Sequence, residues 1–285
     1  LVAYEQGKKK VVSLDKEKYK KLGDHIGFFP VSMIAPGDVE LIMGGSEERR
    51  KFMDRIISQY NAAYMNSLLS YQNLLQQRNS RLKQLYEEEQ LDYELLEIYD
   101  EQLEKEANII YEARRKFTQS IKEPLHNYYK LIYKEYHEHP DISYKSQLEK
   151  VGLRESLKLN FKKDYYTQRT NTGIHRDDLE LSLNGQAIKR FGSLGQQKTF
   201  LIALKLTECE VIKNEKGILP VLLLDDLLDR LDGSRLSNLL AYLRISRFEQ
   251  IFISHTSGDG LKELIPVADL ELFEIENGKV EHAGT

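Results

Sequence analysis

The residues best suited to chemistry sit where an apolar run ends in two acids. Val221-Leu222-Leu223-Leu224 is followed by Asp225 and Asp226. A near-continuous apolar run of this kind reads as a strand of a parallel sheet buried on both faces. Such a strand fixes its C-terminal end, and a carboxylate there can hold a Mg²⁺ ion that bridges two phosphates. The next carboxylate can orient or deprotonate an attacking water. Asp225 is therefore assigned to the metal and Asp226 to the base, the arrangement called Walker B. The plain structural alternative is a buried strand with an acidic turn that caps the next element.

Two further segments give that strand company. Ser193-Leu194-Gly195-Gln196-Gln197-Lys198 resembles the signature of ABC-class ATPases. Ser, Gly and Gln there open a helix whose free N–H groups and dipole favour an anion. The resemblance implies that Ser193, Gly195 and Gln196 face the γ-phosphate of a nucleotide held mainly by a second subunit. Leu231-Asp232-Gly233-Ser234 occupies the place of the ABC D-loop, with Asp232 at the partner head. His255 follows a strand, where ABC proteins often carry a γ-phosphate sensor. A hydrogen-bonded structural histidine is its rival. A glycine-bearing loop with a simple N-cap is the rival for Ser193. Gly192 to Thr199 superficially suggests a P-loop, but that loop needs glycine directly before its Lys, and the position is Gln197. Ile188-Lys189-Arg190-Phe191 before it is too polar for a buried strand. No other Gly-Lys-Ser/Thr occurs in the sequence. The chain thus shows the second half of an ATPase site without the first. On its own it is expected to bind ATP weakly and to be inactive. The first methionine is Met33, so the chain is expected to begin inside a longer protein.

These residues must be positioned by two kinds of element. Residues 1–45 read as β-rich, with strands at Leu1–Tyr4, Lys10–Leu14 and His25–Ile34 and a turn at Gln6-Gly7. From Ser46 the pattern is helical. Ser46 suits an N-cap, and Glu47 and Glu48 suit the first turn. Tyr64, Leu68, Tyr71, Leu75, Leu82 and Leu85 keep a 3–4 spacing broken at Arg78. Leu96, Tyr99, Leu103, Ile110 and Phe117 repeat it with a break at Glu106. No Gly or Pro interrupts residues 46–123. Two long amphipathic helices in an antiparallel hairpin are expected, then a helix bounded by Pro124 and Pro140 and another over Leu148–Leu159. From about residue 170 the texture is α/β. A strand over Leu179–Leu183 turns at Asn184-Gly185 into Gln186–Lys189. Helices follow over Gly195–Ile212 and Gly233–Leu243, with strands at Leu219–Leu224 and Gln250–Ser254 and a closing hairpin around Asn277-Gly278. The fold class expected is α/β: a mixed-sheet, ABC-type ATPase head over residues 1–45 and 165–285, with an inserted helical arm over 46–164.

Several short motifs make the resemblance specific. Thr172-Gly173-Ile174-His175-Arg176-Asp177-Asp178 is similar to the Gly-Pro-His-Arg-Asp-Asp segment of the RecF family, with Ile174 in place of proline. Ala35-Pro36-Gly37-Asp38-Val39-Glu40-Leu41, then Arg49-Arg50-Lys51-Phe52-Met53-Asp54, resemble its Pro-x-Asp-Leu and Arg-Arg-x-Phe-x-Asp stretches. Gln77-Arg78-Asn79 matches a third. Asp229-Arg230 and the absent Walker A loop are departures. The resemblance implies a cytoplasmic bacterial protein of replication, recombinational repair and the SOS response. Such a protein binds ATP and Mg²⁺, dimerises on ATP, hydrolyses it slowly and engages DNA at single-strand gaps. RecR and RecO are the implied partners, and RecA loading the outcome. The alternatives are another SMC/ABC-type head or a non-hydrolysing interaction scaffold. Residues 46–160 are too few for the long coiled coil of the structural-maintenance proteins.

Composition sets the remaining bounds. A formal net charge of -4 argues against a broad DNA-coating protein but leaves room for a basic patch. Lys158, Lys162 and Lys163 form one candidate patch, with Lys150, Arg154 and Arg169 nearby and Glu149, Glu155 and Asp164 interleaved. Arg49 and Arg50 at a helix start form a second. There the helix dipole disfavours cations. No apolar run approaches the ~20 residues needed to span a bilayer, and the start of the chain does not read as a signal peptide. The single cysteine, Cys209, excludes an internal disulfide framework and reads as a packed helix residue.

Overall fold

The computed structural model describes residues 2–3, 11–19, 25–134, 137–226, 231–246, 248–256 and 271–284. Strands β1 (Val2–Ala3), β2 (Val11–Leu14) and β3 (Glu17–Lys18) pair in that order. The Gln6-Gly7 turn and Asp229-Arg230 lie outside the described residues. Of the span His25–Ile34 only β4 (Val31–Ile34) is extended. The chain turns before it, through Gly27 at φ +77.

Helices α1 (Val39–Met43), α2 (Ser46–Tyr60), α3 (Ala62–Glu87) and α4 (Glu97–Ile132) follow. Three features depart from the expectation of a Ser46 cap, two long helices and a boundary at Pro124. Gly45 is the N-cap of α2, and Asn61 ends that helix without Gly or Pro. The Asn61 side chain accepts from the Tyr64 N–H at 2.9 Å, so a local cap replaces the backbone ladder. Pro124 does not end a helix either, for α4 runs through it. Burial of Ile121, Leu125, Tyr129 and Ile132 on one face offsets the lost hydrogen bond, which costs ~3 kcal/mol in an exposed helix.

The apolar stripes are continuous, and each contains an arginine. Tyr64, Ser67, Tyr71, Leu74, Arg78, Leu82 and Leu85 are the buried residues of α3. Leu103, Ala107, Ile110, Arg114 and Phe117 are buried along α4. Arg78 pairs with Asp100 at 2.6 Å and Asp164 at 2.8 Å, all three side chains fully buried. Ser70 bonds Glu106, and Tyr64 bonds Arg114. Partner numbers fall along α4 as they rise along α3, so the two helices are antiparallel.

Beyond α4 the chain forms β5 (Pro140–Lys145), which sequence patterning did not reveal, then α5 (Leu153–Leu159) and α6 (Phe161–Thr167). Strand β6 (Asp178–Leu183) turns at Asn184-Gly185, both with positive φ, into β7 (Gln186–Ala187). These strands stand in the order β5-β6-β7. Helices α7 (Ile188–Phe191) and α8 (Leu194–Lys216) lead to β8 (Val221–Asp225), α9 (Gly233–Ile245) and β9 (Ile251–Ser254). β10 (Leu272–Glu276) and β11 (Lys279–Gly284) close a hairpin. The central sheet is parallel in the order β4-β8-β9. Leu222 and Leu224 are buried against one side, while Val221 and Leu223 are half-exposed. The neighbouring Val31, Met33 and Phe252 are 41%, 43% and 56% exposed. Strand β8 is therefore not buried on both faces, because among the described residues only one face is fully covered.

Contacts group the chain into two units. One comprises residues 1–30, 43–122 and 142–181, and the other 31–42, 123–141 and 182–285. No helix among the described residues is long and apolar enough to cross a membrane.

The Arg78 cluster defines a stability test. Arg78→Met leaves Asp100 and Asp164 buried without their cation, which costs about 3–5 kcal/mol. Urea unfolding should show that loss, and Arg78→Lys should restore only part of it, because an ammonium lacks the planar fork. A midpoint unchanged in Arg78→Met would show that the two acids do not depend on it.

Candidate functional site

The parallel register places the two acids at a strand end. Asp225 pairs with Ser254 across β8 and β9. The Ser254 hydroxyl donates to Asp225 Oδ1 and accepts from the Asp226 N–H at 3.3 Å. Asp226 leaves the strand with φ 49, a left-handed conformation uncommon for a residue with a side chain. His255 follows Ser254 directly and is half-buried, so the register brings it to the same edge. The donors at this edge are hard oxygens. Mg²⁺ commonly takes one or two carboxylates plus water and phosphate oxygens, and Asp225 fits the carboxylate role. Among the described residues no cluster of three or more His, Cys, Asp or Glu forms an all-protein metal cage.

Ser193 is the N-cap of α8 and is exposed. Its hydroxyl accepts from the Gln196 N–H at 3.3 Å, and Gln196 Oε1 accepts from the Ser193 N–H at 2.7 Å. This capping box presents the first turn of a 23-residue helix to solvent. Gln196 Nε2 also donates to Glu138 Oε1 at 2.6 Å, and Glu138 accepts from the Tyr129 hydroxyl. Gln197 is buried and ties back to the Gly192 and Ile188 carbonyls. The preceding element is helix α7 rather than a strand, in agreement with the rejection of a P-loop here. Leu194, Gln197 and Lys198 line a largely apolar cleft with Ile34, Leu231 and Asp225. Asp232 is the N-cap of α9, accepting from the Arg235 N–H at 3.0 Å and the Ser234 hydroxyl at 2.8 Å. Those two bonds hold its carboxyl below the usual range.

Sequence patterning missed the group that anchors α8 to the loop after β4. Lys205 is 1% exposed and lies 3.2 Å from Glu208 and 3.7 Å from Asp38. Asp38 in turn accepts from the Ala35 N–H at 2.8 Å. Cys209 beside them is buried, and burial pushes its thiol up to about 12. A lysine inside an otherwise apolar helix, with an acid three residues later, was the available signal.

The Arg49–Asp54 and His175–Asp178 motifs meet each other. Arg49 grips both oxygens of Asp178, at 2.7 and 2.9 Å. Arg50 donates to the Asp177 carbonyl at 2.6 Å. Arg114 bonds Asp54 at 2.8 Å, the Ile174 carbonyl at 2.8 Å and Asp177 at 3.3 Å. Asp177 also accepts from the Tyr144 hydroxyl. His175 bonds the Tyr71 hydroxyl at 2.8 Å and the Thr170 carbonyl at 3.1 Å. Arg49 and Arg50 thus have intramolecular partners. Lys158, Lys162 and Lys163 are exposed on α5 and α6, with the Lys158 ammonium 5.6 Å from the Tyr93 ring centroid. Asp164, read from the sequence as diluting that patch, points inward to Arg78 and is fully buried.

No protein-family model matches the chain. Curated relatives match almost all of it. The DNA replication and repair protein RecF of Flavobacterium johnsoniae is 39% identical over 91% of this chain and 72% of its own length. That of Parabacteroides distasonis is 38% identical over 98% of this chain and 76% of its own. A solved structure of the recombination mediator protein RecF with ATP in the RecFOR pathway superposes with a TM-score of 0.83, at 29% identity over 99% of this chain and 75% of that one. The corresponding RecF-ATPrS structure gives 0.86, at 31% identity over 99% and 76%. The fold is thereby an ABC-type ATPase head, an α/β class, with a helical arm. The chain belongs to the RecF family of DNA replication and repair proteins.

Opposed titrations in the motif cluster yield a pH test. Burial pushes His175 down to about 4 from an unfolded value near ~6.5. Between those values the unfolded chain binds the extra proton, so this group costs stability as pH falls. Burial pushes Asp177 up to about 6, against the pull of Tyr144 and Arg114. Between ~3.9 and that value the folded chain binds the extra proton, so this group adds stability as pH falls. The two slopes oppose each other over roughly pH 4–6. Asp177→Asn should steepen acid destabilisation, and His175→Gln should reduce it. Urea midpoints across that range provide the measurement, and parallel pH profiles for both variants and wild type would refute it.

Proposed function

We propose that this chain carries the Walker B, signature and D-loop parts of a head that pairs with a second copy around ATP. In the full-length protein Asp225 holds Mg²⁺ and Asp226 is the base for slow hydrolysis. Ser193, Gly195, Gln196 and Asp232 face the partner's nucleotide, and His255 senses the γ-phosphate. The head comprises residues 1–45 and 165–285, and the arm 46–164. The pairing lets the protein act at single-strand gaps with RecR and RecO to promote RecA loading, in the bacterial cytoplasm. The family and the ATP named in the related structures support this reading. The observation that carries it is the Asp225–Ser254 register, which sets the acids at a strand end while the Ser193 turn stays open to a second copy. The DNA contact is assigned to Lys158, Lys162 and Lys163, whose side chains are exposed. Arg49 and Arg50 hold the turn before β6 through their bonds to Asp177 and Asp178.

In the full-length protein, Asp226→Asn should slow ATP turnover by about 10²-fold or more and preserve the ATP-bound dimer. Ser193→Arg should abolish that dimer and leave nucleotide uptake intact. Sedimentation with ATP and steady-state turnover read both, and normal turnover or normal pairing would remove the respective assignment. Charge reversal of Lys158, Lys162 and Lys163 together should weaken DNA binding and flatten its dependence on salt, since fewer counterions are released. An unchanged slope of log affinity against log salt would move the DNA contact elsewhere.

A further inference from the structure

Arg235, the third residue of α9, belongs to none of the motifs read from the sequence. Its backbone N–H and its Nη1 both donate to Asp232, the first to Oδ1 and the second to Oδ2. Its guanidinium lies over the Tyr133 ring, 4.4 Å from the centroid. The same group is packed on the signature glycine. A Cβ added at Gly195 would come within 2.9 Å of Nη1, 3.4 Å of Cζ and 3.6 Å of Nη2. The Arg235 side chain is 15% exposed, against 47% for Asp232. Among the described residues its Nε has no hydrogen-bond partner.

This placement works against the helices it touches. A guanidinium in the first turn of α9, set against the first turn of α8, puts a cation at two helix N-termini. Both helix dipoles disfavour it there. Bonding to Asp232 and stacking on Tyr133 compensate and fix the fork in one orientation. A planar group held on both sides in this way transmits position. If the Asp232 turn shifts, the guanidinium shifts, and Gly195 must follow. The other side of the Ser193 turn is held by Glu138 through Gln196.

We propose that Arg235 is a positioning residue. It locks the Asp232 turn to the Ser193–Gln196 turn, so that both meet a second copy of this chain as one surface. The inference rests on the head-pairing reading above and deepens it. Glycine is required at 195 because the clamped guanidinium takes the space of a side chain.

The test uses the full-length protein. Arg235→Lys keeps the charge and loses the fork, so nucleotide uptake by the monomer should be unchanged while ATP-dependent dimerisation weakens about ten-fold, within the usual range of coupling between sites. Asp232→Asn should weaken dimerisation similarly, and the double variant should be no worse than either single one. Gly195→Ala should reproduce the defect by displacing the guanidinium. Uptake is read by calorimetry and dimerisation by sedimentation over a concentration series. Additive losses for Arg235 and Asp232 would overturn the coupling. So would an Arg235→Lys loss in thermal midpoint and uptake together, which would mark a purely structural side chain. Ser193→Arg is the control. If it blocks pairing and Arg235→Lys does not, this inference fails and the head-pairing reading stands. If Ser193→Arg pairs normally, the reading itself fails.

Discussion

Two arginines at core positions of long helices constrain everything packed around them. Arg78 and Arg114 sit in line with the apolar stripes of α3 and α4 and are 0% and 2% exposed. Moving such a charge out of water costs several kcal/mol unless acids and carbonyls surround it. Asp100 and Asp164 meet the first, and Asp54 and Asp177 the second. These acids come from separate stretches of chain, so neutralising two cations fixes where α2, α4, α6 and the turn before β6 must lie. Apolar residues at those positions would tolerate several packings. The arginine fork accepts far fewer, because each N–H has a fixed direction.

The other unit is organised around a strand end. Three parallel strands in register bring Asp225 to Ser254, and the serine hydroxyl bridges the carboxylate and the Asp226 N–H. Helix α8 is pinned along its length by a different device. Lys205 joins Glu208 and the Asp38 loop deep inside, while the capping box shapes its exposed end. A buried ion pair deep in the helix and a polar, open first turn suit an element that must hold its direction while presenting its tip.

Much of this was legible because it depends on local pattern. The β8 acids, the α8 cap, the Asn184-Gly185 turn and the helical spacing are near-neighbour features, and they formed within a few residues of expectation. Long-range compensation was not legible. Arg78 read as a break in a stripe, since one sequence does not show which acids will neutralise an inward cation; at Glu106 the stripe of α4 passes instead through the neighbouring Ala107. Pro124 read as a boundary because its penalty is local, whereas the burial that offsets it is tertiary. Strand β5 was missed because Pro140 read as a helix boundary, which obscured the short alternation that puts Pro140, Ile142 and Tyr144 on one buried face. Asn61 read as continuous helix because a polar cap leaves little trace in hydrophobic periodicity.

Position along an element separates the motif residues in a way that residue type does not. Arg49, Arg50, His175, Asp177 and Asp178 are the most chemically expressive residues in the sequence, and all of them find partners inside one unit. Charged groups so engaged have few donors or acceptors left for a ligand, and any ligand must first displace bonds of 2.6 to 2.9 Å. Ser193 and Asp226 look plainer, yet each lies at the end of an element, where backbone groups lose their ladder partners. At both ends side chains take over from the ladder: the Ser254 hydroxyl accepts from the Asp226 N–H, and the Ser193–Gln196 capping box closes the first turn of α8, so each tip is held in one conformation. Arg235 belongs between these classes. It is engaged like the first group and placed like the second, which is what a part that transmits position from one turn to another requires.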